Sequence, residues 1–403
     1  MFPVTEQWTV TPAPAADHAS ERATHVFGLV AGWLFSEPMA ELLAAFGKRL
    51  PAAGSAGDFS GHGPAGRPPF GEELPEWLLR IVAAGETGTG GLSPAQVDVL
   101  RRTLAVERMA AGPFNFRARD GQPYRERSQA VAADFDPAFR SRVVELADQL
   151  GLVSPRQPQF ARYDKTLILG GGHQFPLLRA RYAAQLRAAG TDLGELSFLG
   201  SPRFLIEAPP ERPTTDEYAP GATDEFDLMI AAARAEFGLT PAGLVFLCGC
   251  SSSQAQCPNW PSRHHEQAGK TPPAYTHERV AHLVDRTGRR AGSVLSASTS
   301  RPPLRPDTSD TFALWARYAD PQPGQRVLAV TSQVFVPFQT FDGLRRLYLG
   351  HGVDVDVVGH SSEWGYPPQT AEYLLQETLS AIRSGRRLLV EATQALWGGS
   401  AAT

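Results

Sequence analysis

Beyond Pro155 the chain alternates short apolar runs with amphipathic segments long enough to be helices, and this pattern constrains its fold more than any other feature. The candidate strands are 165–170 (KTLILG), 195–200 (ELSFLG), 243–248 (GLVFLC), 292–297 (GSVLSA), 326–331 (RVLAVT) and 353–359 (VDVDVVG). Candidate helices occupy 176–189, 224–237, 276–286, 308–319, 337–350 and 369–383. Strands joined by helix-length connections pair in parallel, and a parallel sheet needs helices over both faces. The expectation is an α/β fold with a doubly wound, mainly parallel, Rossmann-like sheet. No repeat of fixed period is present, which excludes a solenoid.

The first 155 residues follow a different grammar. MAELLAAFGKRL, PEWLLRIVAAG, PAQVDVLRRTLAVERM and PAFRSRVVELADQLG place apolar residues three and four apart, as helices do. Ser93 before Pro94 and Asp136 before Pro137 each read as an N-cap followed by proline in the first helical position. The Gly/Pro/Ala/Ser-rich stretch 48–70 reads as a surface loop, and FNFRARDGQPYRER as a short hairpin around Asp120-Gly121. Phe114, Phe116 and Tyr124 alternate there with Arg117, Arg119, Arg125 and Arg127. That pattern suits docking onto the sheet better than base stacking, because Asp120 and Glu126 dilute the charge. Two domains are therefore expected: a mostly helical one over 1–155, and a Rossmann-like one over 156–403 with an insertion at 248–275.

Composition narrows the function classes. The net charge is −4, and residues 156–403 carry equal numbers of acidic and basic side chains, so wholesale binding of nucleic acid is not expected. The apolar stretch 26–46 is broken by Ser36, Glu37, Pro38 and Glu41, and the N-terminus has neither the basic nor the apolar region of a signal peptide. A soluble, cytoplasmic protein with no membrane partner is expected. Cys248, Cys250 and Cys257 are the three cysteines, too few for a disulfide framework. With His264 and His265 they could ligate zinc, but the C-x-C-x6-C spacing is not that of a standard zinc site, so no metal is expected. The loop carrying them should overhang the ligand crevice.

Gly170, Gly171 and Gly172 follow the first strand and precede a helix, where backbone N–H groups can face an anionic ligand. The full G-x-G-x-x-G spacing is absent, so an ordinary dinucleotide fingerprint is not supported. His173 and Arg179 can supply proton transfer and anion binding if they point into the crevice. Ser201 follows the second strand; Ser298, Thr299, Ser300 and Arg301 follow the fourth, ahead of Thr308, Ser309 and Asp310; Thr331 and Ser332 end the fifth. Ligands bind beyond the carboxyl ends of strands in such sheets, so this repetition of hydroxyls marks one edge as the binding edge. GHSSEWGYPPQT follows the last strand and brings His360, Glu363, Trp364 and Tyr366 to the same edge.

Four blocks in order, LILGGG (167–172) with Arg179 beyond it, DEFDLM (224–229), STSRPPLRPDTSDTF (298–312) and VLAVTSQVFVPFQTFDGLRRL (327–347), resemble the bacterial family that includes YdcF, SanA and ElyC. The resemblance covers about 160–385. It departs at Phe335 and Phe338, where the family carries histidine and arginine, and at Asp310-Thr311, where it carries Glu-Asn. It implies a Rossmann-like fold and a nucleotide-type ligand, S-adenosylmethionine among the candidates, and it matches Glu225 to the family's glutamate.

Together these readings make His173, Glu225, His360 and Glu363 the candidate catalytic residues. Gly170, Gly171, Gly172, Arg179, Ser201, Ser300, Arg301, Thr308, Asp310, Thr331 and Ser332 are the candidates for holding the ligand. The expected function is an enzyme transferring a group to a small molecule in specialised metabolism. The alternative is a non-catalytic regulatory protein that binds a nucleotide or another small molecule.

Overall fold

A computed structural model of the chain describes residues 19–54, 74–84, 92–117, 132–207, 209–248, 277–301, 305–365, 367 and 369–400. In order come α1 (Ala19–Leu34), α2 (Glu37–Ala44), α3 (Glu76–Ala84), α4 (Pro94–Ala110), α5 (Pro137–Gln149), β1 (Lys165–Leu169), α6 (Phe175–Ala188), β2 (Glu195–Gly200), α7 (Glu211–Asp216), α8 (Glu225–Phe237) and β3 (Thr240–Cys248). Then follow β4 (His277–Val284), β5 (Arg290–Ser296), α9 (Thr308–Ala319), β6 (Arg326–Ser332), α10 (Val336–Gly343), β7 (Asp354–His360) and α11 (Ala371–Ser400). The chain divides into two compact units, Met1–Ser154 with Gln333–Arg345 and Pro367–Thr403, and Pro155–Ser332 with Arg346–Tyr366. Residues 333–345 and 367–403, which the sequence groups with the second half, thus cluster with the helical first.

The second unit is built on one seven-stranded sheet in the order β3-β4-β5-β2-β1-β6-β7. The five strands from β5 to β7 are parallel, as the sequence pattern requires. One expectation is overturned: 276–286 is not a helix but the strand β4, antiparallel to both β3 and β5. HERVAHLV places Val280, Ala281, Leu283 and Val284 where a helix face or a strand can use them. The turn that follows decides between the two. Asp285 Oδ1 accepts the N–H groups of Thr287 and Arg289, and Gly288 takes φ 82°, which closes a tight hairpin into β5. With β4 reversed, β3 again runs in the direction of β5, so Cys248 and His277, the residues flanking the cysteine loop, lie at the carboxyl edge. The loop itself, with Cys250, Cys257, His264 and His265, lies outside the described residues.

Alternation along the strands assigns the layers. Leu196 and Phe198 of β2, with Ile168, Leu328, Val330 and Val358, pack against Ala180, Ala183 and Leu186 of α6 and Phe226, Met229 and Ala233 of α8. Ser197, between Leu196 and Phe198, points to the opposite face, where it accepts the indole N–H of Trp315 on α9 at 3.1 Å. Helices therefore cover both faces, and the sheet is doubly wound. At its outer edge, the carboxylate of Asp356 in β7 is buried and receives Arg156 Nη2 at 2.5 Å, the Gln159 N–H at 2.8 Å and the Tyr163 hydroxyl. This ties the entry segment 156–163 to β7.

In the helical unit α11 packs on α1, α4, α5 and α10. It runs well past residue 383, and α1, absent from the sequence assignment, buries Val26, Phe27, Val30, Trp33 and Leu34. Phe114 and Phe116 are fully buried, edge-on to Phe46 and Phe135 respectively, so neither can stack on a base. The rest of the expected hairpin (118–131) and the stretch 55–73 lie outside the described residues. Among the described residues no single helix is long and apolar enough to cross a membrane.

Removing a buried charge's partner costs about 3–5 kcal/mol. Asp356→Ala, which strands Arg156, should lower unfolding free energy by about that amount in urea titration, whereas Tyr163→Phe, which removes one hydrogen bond to the carboxylate, should cost about 1.5–3 kcal/mol.

Candidate functional site

Along the parallel strands the connections β1 to β2 to β5 run one way across the sheet, and β6 and β7 lie on the other side of β1. The winding therefore reverses between β1 and β6, and beyond the carboxyl ends of those two strands such sheets leave a crevice. The glycine turn 170–172 leaves β1 there, and Ser332 ends β6. Gly171 has φ +155°, and a Cβ on it would meet the Phe175 side chain at 3.1 Å, so this position admits no other residue without strain.

Arg179 reaches back from the second turn of α6, the direction in which helical side chains point. Its guanidinium, 2% exposed, donates to the carbonyls of Leu169 at 2.9 Å and Gly170, and through Nε to Ser332 Oγ at 3.4 Å. Ser332 in turn lies 2.9 Å from His360 Nε2, its register partner across the β6–β7 ladder. The His360 Nδ1 atom is 3.0 Å from the Ser361 carbonyl, which can only accept. Nδ1 therefore carries the hydrogen, and Nε2 accepts the Ser332 hydroxyl. Burial, with the Arg179 charge adding to it, lowers the His360 pKa to about 4, so the imidazole is neutral at pH 7. Trp364 stacks on the ring at 5.3 Å. The result is one polarised chain, Arg179 to Ser332 to His360 to Ser361 O, beside the glycine turn. Thr331 is fully buried, and its hydroxyl meets no partner among the described residues.

On the β2 side of the turn stands a buried ion cluster. Arg203 Nε donates to Glu225 Oε1 at 2.6 Å and Nη2 to Glu211 Oε1 at 2.5 Å, while the other Glu225 oxygen accepts Ser201 Oγ at 2.7 Å. Glu225 thus spends both oxygens on Arg203 and Ser201. The guanidinium lies against Gly172 so closely that a Cβ there would overlap it. The next residue, His173, holds φ 61°, and burial lowers its pKa while Glu211 opposes the shift.

The third turn is closed on itself. Asp307 and Asp310 form a capping box at the start of α9, Ser300 N–H donates to Asp310 at 3.2 Å, and Arg301 pairs with Asp307. Burial and the nearby Asp307 raise the Asp310 pKa. Thr308, in the first turn of α9, gives its carbonyl to the Thr311 hydroxyl.

The structure therefore joins Gly170, Arg179, Ser332 and His360 in one hydrogen-bonded set, and links Ser201 and Glu225 to Gly172 and His173 through Arg203 and Glu211. Ser300, Arg301, Thr308 and Asp310 sit at the same edge in their own network. Glu363 is exposed and its N–H is capped by the Ser361 hydroxyl, and Tyr366 lies outside the described residues. Arg203, Glu211 and Tyr218 were not selected from sequence. The signal available was an arginine two residues beyond Ser201 with acids downstream in a proline-rich segment. Among the described residues no cluster of His, Cys, Asp and Glu is arranged to hold a metal ion. An open cleft of about 570 Å³ lies at the opposite, amino edge, lined by 234–238 and 285–287.

The folded-state His360 pKa near 4 lies below the unfolded value of about 6.5, so between them the unfolded chain binds more protons. Stability should fall as pH drops through that window, by about 3 kcal/mol from this residue. His360→Gln should lose that component in urea unfolding across pH 4 to 7.5; an unchanged pH slope would contradict the buried neutral imidazole.

Neither a family model nor a solved structure matches the chain significantly. It is 31% identical over 322 residues to Uncharacterized protein Rv3785 of Mycobacterium tuberculosis and to Uncharacterized protein Mb3814 of Mycobacterium bovis, covering 74% of this chain and 84% of each relative. Identity at that level across most of both lengths makes this chain a member of the same family as these mycobacterial proteins.

Proposed function

We propose that this protein is a cytoplasmic enzyme that binds a nucleotide-type ligand at the crevice between β1 and β6 and transfers a group to a small molecule. The observation that carries the reading is the Arg179–Ser332–His360 chain laid across the winding reversal beside the glycine turn. Anionic ligands favour such a turn, because backbone N–H groups and the start of a helix face them together. The neutral imidazole accepts the Ser332 hydroxyl hydrogen at Nε2 and so orients that hydroxyl; with its pKa lowered to about 4 it is a weak base, and its role at pH 7 is to aim Ser332. The resemblance to YdcF, SanA and ElyC supports S-adenosylmethionine as the first ligand to test. The three clustered cysteines favour a reducing compartment.

A second reading, a regulatory protein that binds the ligand without turning it over, is favoured by one observation. Glu225 and His360 spend their polar atoms on protein partners, and Glu363 stands in solvent.

Calorimetry and thermal unfolding with S-adenosylmethionine and ATP test the proposal. Ligand at about 100 times its Kd should add about 2.7 kcal/mol of stability. Gly171→Val should weaken binding at least about tenfold, which is about 1.4 kcal/mol. Transfer of a methyl label from S-adenosylmethionine to an extract of small metabolites, lost in His360→Gln, separates the readings: bound but untransferred ligand favours the regulator, and no binding of either nucleotide by calorimetry overturns both.

A further inference from the structure

His173 is one of two described non-glycine residues with positive φ, at 61°. Non-glycine residues are uncommon in the left-handed region, although histidine enters it more readily than most, and residues held there concentrate at ligand sites. Both of its peptide groups are fixed. The N–H donates to Glu211 Oε1 at 3.3 Å, and the carbonyl accepts the Tyr218 hydroxyl at 2.9 Å. These two partners come from a single short stretch, α7 and the turn after it.

That stretch is itself anchored. Arg203 grips Glu211 with both terminal nitrogens, at 2.5 and 3.3 Å, while its Nε holds Glu225, the first residue of α8. Glu225 is held by Ser201, beyond the end of β2. A line of buried polar contacts therefore runs from the end of β2 through Glu225, Arg203 and Glu211 to the backbone of His173. The Tyr218 phenol is pushed well above its ordinary pKa by burial, with Glu211 and Glu225 adding to the shift, so it remains a donor at any physiological pH. Charged groups facing it are Glu211 and Glu225; Arg203 sits between them.

We propose that Glu211 and Tyr218 are positioning residues, a clamp that holds His173 in the left-handed conformation and so presets the glycine turn and the imidazole for the ligand. The inference rests on reading that turn as the ligand-binding one. It gives the segment 203–218 a role in recognition although the segment need not touch the ligand: without the clamp, His173 relaxes to negative φ and the turn loses its shape.

The test uses the full chain with Tyr218→Phe, Glu211→Gln, His173→Gly and the Tyr218→Phe/His173→Gly double variant. Amide hydrogen exchange at 171–174 is read without ligand, and S-adenosylmethionine affinity by calorimetry. Loss of one net hydrogen bond corresponds to roughly a five- to tenfold change. Tyr218→Phe should accelerate exchange at 171–173 by about that factor while core amides keep their rates, and should weaken binding by a similar factor. In the His173→Gly background the same substitution should change affinity less than about twofold, because glycine holds positive φ unaided. A Tyr218 that merely supports the fold would cost the same in both backgrounds. That result, or exchange at 171–173 unchanged in both Tyr218→Phe and Glu211→Gln, overturns the clamp. Should S-adenosylmethionine fail to bind the wild type, the exchange measurement still decides the clamp, and only the functional reading falls.

Discussion

Everything at the candidate site depends on the reversal of winding between β1 and β6. A parallel sheet must be covered on both faces, and in this one the strands following β1 are laid down first on one side of it and then on the other. Consecutive connections cannot close over the ends of both strands at the point of reversal. The glycine turn and Ser332 occupy that point because they leave β1 and β6 there. His360 joins them because β7 is paired with β6 in the register that sets it opposite Ser332.

Polar groups gathered at such a place are costly unless they satisfy one another. Arg179 and Arg203 are both nearly buried, one beside each flank of the glycine turn, and each is held by several acceptors. Isolated, either guanidinium would incur a desolvation penalty of several kcal/mol. Surrounded by carbonyls, a hydroxyl and two carboxylates, they instead fix backbone: Arg179 the two carbonyls that open the turn, Arg203 the carboxylate that holds His173 N–H. Rigid polar scaffolding of this kind supplies preorganisation, which is what a ligand turn requires if its peptide groups are to meet a ligand without rearranging.

Much of this was legible in the sequence, and the illegible parts have definite causes. The five parallel strands announced themselves because both of their faces are buried and their centres are continuous apolar runs, LIL in β1 and VLAV in β6. The glycine turn, Ser332 and His360 followed from their positions at strand ends, and Arg179 from its place in the helix that follows the glycine turn. β4 is illegible because HERVAHLV is compatible with either period, and only the Asp285–Arg289 turn resolves it. Arg203, Glu211 and Tyr218 escaped because their partners are remote in sequence: His173 lies 38 residues before Glu211 and 45 before Tyr218, distances no local pattern encodes. The helical α11 outran its expected end because its C-terminal half buries Leu388, Leu389 and Ala392 and sets Trp397 edge-on to Trp77 of α3, an outcome set by packing and not by capping signals.

The most direct measurement is a map of amide chemical-shift changes on titrating S-adenosylmethionine and, separately, ATP into the isotope-labelled protein. The account predicts changes concentrated at 170–174, 201–203, 331–332 and 360–364, all at the carboxyl edge around the reversal of winding. Changes centred instead on 234–238 and 285–287, the residues of the open cleft at the amino edge, would contradict it.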